Sequence, residues 1–332
     1  MRLGIIGHGM IVEDVLPVLN KIQEIELAAI YGRPSAHDHL IELQNKFAIE
    51  EIFTDFAKFL AHPSIDTVYI ALPNHLHFSF AKQALEAGKH VICEKPFTSN
   101  TAELEILIAI AEKQQLFLLE AITNQYSPNY LALQDVLPKI GPVKIIQANY
   151  SQYSSRYDAF KAGTVLPAFD PTKSGGALMD LNSYNLHFLV GLFGRPEQID
   201  YMANLSHGID TSGILTLDYG TFKAVAIGAK DCAAPSVITI QGENGTIQVN
   251  GPANTVPSVT FHDRLSGENT TIDLRQDPHR MYDEFVVFAK IIDQKETHIA
   301  QTALQHSLTV MTLLTEARTE AGIIFSADKP SA

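Results

Sequence analysis

The sequence predicts an α/β protein in which a doubly wound parallel sheet is followed by an α+β domain with a large, mostly antiparallel sheet. Three observations support this fold class. Patterns typical of strands and helices alternate over residues 1–120, as in parallel α/β sheets. Two glycines, Gly7 and Gly9, separate the first strand from the first helix. Residues 197–275 contain alternating apolar and polar runs separated by turn residues, which is typical of antiparallel strands.

Short apolar runs indicate the strands of the first part, and apolar residues at helical spacing indicate its helices. The predicted strands cover residues 2–6, 27–31, 67–72, 90–93 and 116–120. The predicted helices cover residues 13–19, 77–87 and 101–114. Their alternation predicts right-handed crossovers between parallel strands.

The pattern changes after about residue 140. Strands are predicted over residues 144–153, 213–219, 222–229, 236–241 and 246–250. Helices are predicted over residues 176–193, 280–293 and 303–321. We therefore predict a first domain at residues 1–121 and a second at residues 122–332, with the last helices either in the second domain or packed back on the first.

Composition excludes several function classes. The chain has 332 residues, of which 46% are hydrophobic and 18% charged, as in globular proteins. The net charge of −13 argues against binding to nucleic acid or to an anionic membrane. No apolar run is long enough to span a bilayer, and no signal or transit peptide is expected because the chain begins in a core strand. These features predict a cytoplasmic protein.

The two cysteines, Cys93 and Cys232, are far apart in the sequence and lie in apolar surroundings. This pattern predicts buried free thiols in a reducing compartment rather than a disulfide. No spacing of cysteines and histidines resembles a metal site, so we predict that the protein binds no metal.

The loop after the first strand is a candidate phosphate-binding site. Its glycines permit a tight turn and let a pyrophosphate approach the backbone, and the following helix N-terminus offers N–H groups to the phosphates. The expected contacts are Gly7, His8, Gly9, Met10 and Ile11. Val12 replaces the third glycine of the dinucleotide-binding pattern, so a glycine-rich turn without a ligand stays an alternative.

Glu94, Lys95 and Pro96 follow the predicted strand over residues 90–93. A lysine at the carboxyl end of a parallel strand lies at the rim of the sheet, where open α/β sheets bind ligands. The alternative is a surface lysine before a proline that ends the strand. The glycine loop upstream favours the ligand-binding interpretation.

The helix predicted from Gly176 to about Phe193 carries Asp180, Tyr184 and His187 at positions i, i+4 and i+7. This spacing places all three on one face. The opposite positions are apolar: Leu178, Leu181, Leu189 and Leu192. A solvated helix face is the alternative, but Tyr and His are proton-transfer groups and suggest a catalytic role.

These motifs resemble the Gfo/Idh/MocA family of nicotinamide-dependent oxidoreductases over nearly the whole chain. The resemblance is carried by Gly7-His8-Gly9, Ala71-Leu72-Pro73-Asn74-His75-Leu76-His77, Ala87-Gly88-Lys89-His90-Val91, Glu94-Lys95-Pro96, Gly175-Gly176-Ala177-Leu178-Met179-Asp180 and Gly242-Glu243-Asn244-Gly245. It implies an N-terminal Rossmann domain and a C-terminal domain whose sheet is open on one face. It also implies a homodimer or homotetramer formed through that face.

Three positions depart from the family pattern. Tyr184 stands where the family usually has His, as in relatives resembling glucose–fructose oxidoreductase and dimeric dihydrodiol dehydrogenase. Asn182 replaces a glycine of the pattern, and Gln125 stands where many relatives carry Arg. The departures leave the substrate open.

Hydride transfer at a secondary alcohol requires a matched proton transfer at its oxygen. We predict Tyr184 as the general acid/base, with the Lys95 ammonium favouring the phenolate and stabilising negative charge on the substrate oxygen. Asp180 is predicted either to orient the substrate hydroxyl or to hold Lys95. His187 is either a partner of this group or a packed helix residue.

The end of the second strand bears on the choice of cofactor. NAD-selective Rossmann folds tend to place an acidic residue there, whereas this chain has Arg33 and no carboxylate. A guanidinium makes charge-assisted bonds to a 2′-phosphate, so NADP(H) is favoured over NAD(H). The further predicted cofactor contacts are Leu72, Pro73, Asn74, His77, Glu94 and Lys95. Capping of its own helix is the alternative role for His77.

Residues 155–173 are expected to form a loop over the pocket. The candidate substrate contacts are Tyr157, Phe169, Asp170 and His187. Such a pocket suits a small polar molecule: a sugar, a cyclic polyol or a trans-dihydrodiol. The alternatives are a non-catalytic dinucleotide-binding regulator and a redox-assisted, NAD-dependent glycosidase, and the presence of both Lys95 and Tyr184 favours an enzyme.

Overall fold

The computed structural model describes residues 1–329, which divide into two compact units. The first unit comprises Met1–Ala121 and Met281–Leu308. The second comprises Ile122–Arg280 and the described residues from Thr309 onward. A segment late in the chain therefore belongs to the unit that contains the N-terminus.

The first unit is built on a six-stranded sheet in the order β3-β2-β1-β4-β5-β6. Its strands are β1 (Arg2–Ile6), β2 (Glu26–Tyr31), β3 (Glu51–Phe53), β4 (Thr67–Ile70), β5 (His90–Glu94) and β6 (Leu118–Ala121). All neighbouring strands are parallel, and the strand order reverses between β1 and β4. The arrangement is a doubly wound Rossmann sheet, which confirms the fold class predicted for this part of the chain.

Helices connect the parallel strands of this sheet. They are α1 (Met10–Leu19), α2 (His37–Phe47), α3 (Phe56–Ala61), α4 (His77–Glu86) and α5 (Thr101–Gln114). The prediction did not include β3, α2 or α3. The strand Glu51–Phe53 has three residues, which is too short to produce an alternating pattern.

The second unit is built on an eight-stranded sheet in the order β14-β13-β12-β11-β7-β10-β9-β8. Its strands are β7 (Val143–Ser151), β8 (Gln198–Ser206), β9 (Ile209–Asp218), β10 (Lys223–Ala229), β11 (Val237–Gly242), β12 (Gly245–Val249), β13 (Val259–Asp263) and β14 (Asn269–Ile272). β7 and β10 are parallel, and the other neighbouring pairs are antiparallel. The prediction of a large, mostly antiparallel sheet is confirmed, although β8, β13 and β14 were not predicted individually.

One face of the eight-stranded sheet carries apolar side chains that are not covered within the unit. Met202, Ile214 and Ile227 form a row across three neighbouring strands. Met202 is 56% exposed and Ile214 is 39% exposed. Residues that alternate with them, such as Leu215 and Ala226, are fully buried on the opposite face. We call the exposed side the open face of this sheet.

The remaining helices lie between residues 128 and 320. They are α6 (Pro128–Leu131), α7 (Leu133–Val136), α8 (Tyr157–Lys161), α9 (Ser183–Phe193), α10 (Tyr282–Gln294) and α11 (Thr297–Glu320). α10 belongs to the first unit, and the division between the units falls within α11. No helix in residues 1–329 is long and apolar enough to cross a membrane.

The helix predicted over residues 176–193 differs from the structure in two respects. Its first part, Leu178–Asn182, is a π-helix that leads into α9. The residues of α9 from Ser183 to Val190 are all buried, so Tyr184 and His187 do not lie on a solvated helix face, which was the alternative interpretation. Helical periodicity identifies a one-sided helix, and α9 is instead enclosed by other elements.

The prediction that both cysteines are buried is wrong for Cys232. Cys93 is buried, Cys232 is exposed, and both are free thiols. Cys232 follows the end of β10 in a loop, where an apolar sequence neighbourhood does not ensure burial.

The start of β5 contains a pH-sensitive contact. The Phe117 N–H donates a hydrogen bond to Nδ1 of His90 at 2.9 Å, which requires an unprotonated Nδ1. Burial lowers the pKa of His90, with a smaller opposing effect of Asp66 and a smaller supporting effect of Lys295. Because the folded pKa lies below the unfolded value of about 6.5, the stabilising contribution is complete above that pH and is lost as the pH falls below it.

We expect the melting temperature of the wild type to fall more steeply between pH 7.5 and pH 5.5 than that of His90→Asn. The Asn carbonyl retains an acceptor for the Phe117 N–H but does not titrate. Thermal unfolding at both pH values measures the difference, with the exposed His298 replaced by Asn as the control. Equal pH dependence in wild type and His90→Asn would contradict the assignment.

Candidate active site

The loop after β1 is fixed by contacts that require glycine. Gly7 has a φ of +120°, and a Cβ there would lie 2.4 Å from the Ala71 carbonyl oxygen. The Gly7 N–H donates to the Tyr31 carbonyl at 3.0 Å. A side chain at position 7 would therefore separate the loop from both neighbouring strands, because L-residues avoid this φ and the space is occupied.

Gly9 precedes α1, and a Cβ added to it would meet no atom within 4 Å. This open space lies where the first N–H groups of the helix, at Met10 and Ile11, have no acceptor within the helix. His8 lies between the two glycines and is half-buried. The backbone of this loop fits a phosphate group, whereas Val12, at the missing third glycine, is fully buried in the core.

The loop after β4 lies beside the glycine loop. β1 and β4 are the pair at which the strand order reverses, and open α/β sheets bind ligands at the carboxyl ends of such a pair. Leu72, Pro73 and Asn74 directly follow β4. Sequence order and sheet order together thus place the predicted dinucleotide contacts of the two loops at one edge of the sheet.

His77 connects two of these loops from inside the unit. Its side chain is fully buried, Nε2 lies 2.8 Å from the Leu72 carbonyl and Nδ1 lies 2.9 Å from the Pro96 carbonyl. Burial lowers its pKa. His77 makes no side-chain cap, so the alternative role of capping α4 is not seen.

Lys95 directly follows β5 and is half-buried. The residues on either side of it are held by the interior. The Tyr69 hydroxyl donates to Glu94 Oε1 at 2.6 Å, and the Phe97 N–H donates to Glu120 Oε1 at 3.0 Å. Buried carboxylates on β5 and β6 therefore fix the backbone that carries the Lys95 ammonium.

The end of β2 carries a group of basic side chains. Arg33 is exposed at this position. The His8 and His39 rings lie 5.7 Å apart at 71°, and His39 Nε2 lies 3.2 Å from the His8 carbonyl and 3.3 Å from Glu13. Burial, His39 and Arg33 lower the pKa of His8. Sequence reasoning identified Arg33 and missed His39, which lies in the unpredicted helix α2.

In the second unit, the π-helix begins on a buried carboxylate. The Leu178 N–H and the Tyr201 hydroxyl donate to Asp210 Oδ2 at 2.6 and 2.7 Å. Gly176 has a φ of +105°, and a Cβ there would lie 2.1 Å from Asp210 Oδ1. Burial raises the pKa of Asp210, and its hydrogen bonds oppose that effect. Asp210 therefore determines where the helix carrying Asp180 and Tyr184 starts.

Asn182 and Asn185 attach this helix to the sheet. Asn182 Nδ2 donates to the Ala226 carbonyl at 3.1 Å, and Asn185 Nδ2 donates to the Ile227 carbonyl at 3.1 Å and to Asn182 Oδ1 at 2.9 Å. Both side chains are fully buried. Asn182 stands where the family pattern has glycine. It therefore contributes structural hydrogen bonds that a glycine side chain cannot make.

Asp180 lies on the π-helix, and its side chain is 37% exposed. Its Oδ2 accepts a hydrogen bond from Lys230 Nζ at 2.6 Å. The sequence analysis considered Lys95 as a partner of Asp180 and missed Lys230. In the sequence, Lys230 directly follows an alternating apolar strand. This pattern does not show that Lys230 pairs with a carboxylate 50 residues earlier in the chain.

Tyr184 and His187 occupy the first turns of α9. Tyr184 is 7% exposed, and its ring lies 6.1 Å from that of Tyr150 at 50°. His187 is 1% exposed. Gln125 Nε2 donates to the His187 carbonyl at 2.9 Å, so the residue that replaces the family's Arg supports the backbone of this helix.

The segment 153–173 contributes a group of stacked aromatic rings, which we call the aromatic segment. The Phe160 and Phe169 rings lie 4.9 Å apart at 21°, and Tyr157 contacts both. Phe169 is fully buried, whereas Tyr157 is half-buried. Asp170 Oδ1 accepts from the Thr172 N–H at 2.8 Å. Of the predicted substrate contacts in this segment, Phe169 and Asp170 thus have structural partners, and Tyr157 retains exposed surface.

The Rossmann sheet, its glycine loop and the lysine after β5 define a dinucleotide-binding protein of the oxidoreductase class. Within residues 1–329, no group of three or more His, Cys, Asp or Glu side chains is suited to hold a metal ion.

Comparisons with known proteins agree with this class. Residues 1–121 match the Gfo/Idh/MocA oxidoreductase family, NAD-binding Rossmann fold, and residues 138–248 match the GFO/IDH/MocA C-terminal domain. The chain is 36% identical to scyllo-inositol 2-dehydrogenase (NADP(+)) IolU of Bacillus subtilis (strain 168), over 99% of each chain. It is 28% identical to trans-1,2-dihydrobenzene-1,2-diol dehydrogenase of Mus musculus, over 75% of this chain and 74% of that protein.

Solved structures share the fold. KijD10, a 3-ketoreductase from Actinomadura kijaniata in complex with NADP and TDP-benzene, has a TM-score of 0.81 at 22% identity, with 98% of this chain and 99% of that chain covered. The chain belongs to the Gfo/Idh/MocA family of oxidoreductases. It is an NAD(P)-dependent oxidoreductase, as the sequence predicted.

Proposed function

We propose that this chain is an NADP(H)-dependent dehydrogenase of a cyclic polyol, with Tyr184, Lys95 and Asp180 as its catalytic residues. The observation that carries the proposal is the arrangement on the π-helix and α9. The half-exposed Asp180 carboxylate is held by a buried ammonium, and Tyr184 follows it four residues later. Similarity over 99% of the chain to a scyllo-inositol 2-dehydrogenase supports a ring of hydroxyl groups as the substrate.

The nicotinamide ring, when bound, supplies the hydride acceptor for alcohol oxidation. The Tyr184 phenolate takes the proton from the substrate hydroxyl as the carbonyl forms, and the Lys95 ammonium donates a hydrogen bond to the same oxygen. Asp180 accepts a hydrogen bond from a neighbouring hydroxyl of the polyol and orients the ring. In the reverse direction, Tyr184 returns the proton to the substrate oxygen.

We assign residues 1–121, with which Met281–Leu308 form one unit, to dinucleotide binding, and the second unit to substrate binding and assembly. The glycine loop from Gly7 to Ile11 would hold the pyrophosphate, and Arg33 would contact the 2′-phosphate. Leu72, Pro73 and Asn74 would line the groove with Glu94 and Lys95, and His77 would support that groove from inside. Tyr157 of the aromatic segment would contact the substrate, with Phe169, Asp170 and His187 behind it.

A substrate panel tests the proposed function. scyllo-Inositol, myo-inositol, D-glucose, D-xylose and a trans-dihydrodiol are each assayed with NADP+ and NAD+ by the change in nicotinamide absorbance. We expect the highest kcat/KM with an inositol and NADP+. Higher kcat/KM on a linear or aldose substrate would overturn the cyclic-polyol assignment, and absence of a stoichiometric absorbance change with every compound would overturn the dehydrogenase assignment in favour of the regulator or glycosidase alternatives.

Replacing Arg33 with Ala is expected to raise the Kd for NADPH by about 10- to 100-fold and to change the Kd for NADH little. The reason is that a charge-assisted hydrogen bond contributes about 1.5–3 kcal/mol, and NADH has no 2′-phosphate. Fluorescence titration of both nucleotides measures the change. Arg264→Ala, at a guanidinium that contacts the Glu243 carbonyl, is the control. Equal weakening of both nucleotides would refute selection by Arg33.

We further propose a homodimer or homotetramer formed through the open face, in a cytoplasmic protein. A groove on this face has a mixed lining, in which Ile145 and Val225 lie with the charged Asp200 and Lys223, and it lies beside the apolar row that contains Met202 and Ile214. Exposed apolar surface of this kind is typical of an interface between copies. Sedimentation equilibrium of the native chain measures its mass in solution, and a monomer at micromolar concentration would contradict the assembly.

A further inference from the structure

Lys230 is a buried cation in a set of contacts built for its charge. Its side chain is 3% exposed. Nζ donates to Asp180 Oδ2 at 2.6 Å and to the Ala168 carbonyl at 2.9 Å, and it lies 4.7 Å from the centre of the Phe169 ring. A buried ammonium is costly unless it is paired, and here a carboxylate, a carbonyl and an aromatic face surround it.

The backbone around Lys230 is fixed on both sides. Its N–H donates to the Thr211 carbonyl at 2.8 Å, and its carbonyl accepts from the Ser154 N–H at 2.9 Å. The neighbouring Asp231 accepts hydrogen bonds from the Thr211 and Ser212 hydroxyls at 2.7 and 2.9 Å. These contacts fix the backbone directly after β10. The Lys230 ammonium therefore meets Asp180 from a defined direction and orients its carboxylate.

Lys230 contacts both sides of the region assigned to the substrate. Asp180 lies on the π-helix that leads to Tyr184, whereas Ala168 and Phe169 belong to the aromatic segment. The Asp180 side chain stays 37% exposed while it pairs with Lys230. One ammonium therefore orients a half-exposed acceptor and holds the aromatic segment beside it.

We propose that Lys230 is a positioning residue for polyol recognition: it acts through Asp180 and joins the π-helix to the aromatic segment. This inference rests on the proposed function, because it concerns how Asp180 meets a substrate hydroxyl. Lys230 does not contact the reacting atoms. It orients Asp180, which is assigned to a neighbouring hydroxyl of the polyol.

The primary test is Lys230→Met in the full-length chain, with steady-state kinetics on the preferred polyol. Loss of the buried pair is expected to reduce kcat/KM by about 10- to 100-fold, which corresponds to the free energy of one hydrogen bond to a charged group. The Kd for NADPH is expected to stay at the wild-type value. Lys144→Met is the matched control, because Lys144 lies on the neighbouring strand β7, is exposed and pairs with Glu243. This control is expected to leave kcat/KM unchanged.

Two measurements separate positioning from simple structural support. In an Asp180→Asn background, Lys230→Met should add little further loss, because the effect passes through the carboxylate. In Lys230→Ala, added ethylammonium should restore part of kcat/KM, and neutral ethanol of similar size should not. If Lys230→Met does not fold, Lys230→Gln takes its place, since its amide can still donate to the Ala168 carbonyl but carries no charge.

The outcomes are distinguishable from failure of the proposed function. Wild-type protein that turns over no polyol would remove the proposed function and this inference with it. An active wild type with unchanged kcat/KM in folded Lys230→Met, or with fully additive losses in the double variant, would overturn the role of Lys230 alone. A lowered melting temperature with wild-type kinetics would leave Lys230 as a structural lysine.

Discussion

Tyr184→Phe is expected to reduce kcat by about 10²- to 10⁴-fold, which is the usual contribution of one positioned acid/base group. The substitution removes the hydroxyl and retains the ring, so the packing of Tyr184 against Tyr150 is preserved. The Kd for NADPH should change little, because the dinucleotide contacts are assigned to other residues. Single-turnover hydride transfer, measured with the preferred polyol, reports the chemical step directly.

Tyr130→Phe is the matched control for that experiment. Tyr130 is also buried, and its hydroxyl donates to the Phe188 carbonyl of α9 at 3.0 Å. Loss of this bond should lower stability by about 1 kcal/mol and leave kcat near the wild-type value. If Tyr184→Phe retained wild-type turnover, or if both variants lost kcat equally, Tyr184 would not be the proton-transfer group.

Lys95→Met is expected to reduce kcat/KM by about 10²- to 10³-fold. This is the typical effect of removing one donor that stabilises negative charge on a reacting oxygen. The backbone on either side of Lys95 is held by Glu94 and Glu120, so the loss should reflect the ammonium rather than a displaced loop. Pre-steady-state and steady-state kinetics on one polyol measure the change.

Lys89→Met controls for loss of a lysine near the same strand. Lys89 Nζ donates to the His62 and Ile65 carbonyls at 3.0 and 2.7 Å, so it stabilises loops of the first unit. This variant should have a lower melting temperature than the wild type and a kcat close to the wild-type value. A Lys95→Met variant with normal kcat but weaker NADPH binding would instead make Lys95 a cofactor contact without a catalytic role.

The Rossmann sheet and its loops were predictable from sequence because their signals are local. A buried parallel strand is a short apolar run, and the glycine loop between β1 and α1 satisfies backbone requirements that few residues other than glycine meet. The same locality explains what was missed: β3 has three residues, and its pattern is too short to recognise. His39 was missed with α2, an 11-residue helix that buries only Leu40, Leu43 and Phe47 and therefore has a weak apolar pattern.

The second unit shows what local patterns do not contain. Sequence spacing drew attention to Asp180 and Tyr184, but the π-helix begins where Asp210, on β9, accepts the Leu178 N–H. Burial of α9 on all sides depends on elements far away in the chain, and so do the exposure of Cys232 and the hydrogen bonds of Asn182. None of these contacts changes the periodicity of the local sequence.

The primary structure alone was sufficient for the fold class and for the positions of the glycine loop, of the lysine after β5 and of the helix that carries Asp180 and Tyr184, because each signal lies within a few consecutive residues. The partner of Asp180 was decided by packing. Lys230 is 50 residues further along the chain, and the end of β10 brings its ammonium to 2.6 Å from the carboxylate. A buried charge requires an opposite charge nearby, but which one it meets depends on the arrangement of the sheet and the helix in space.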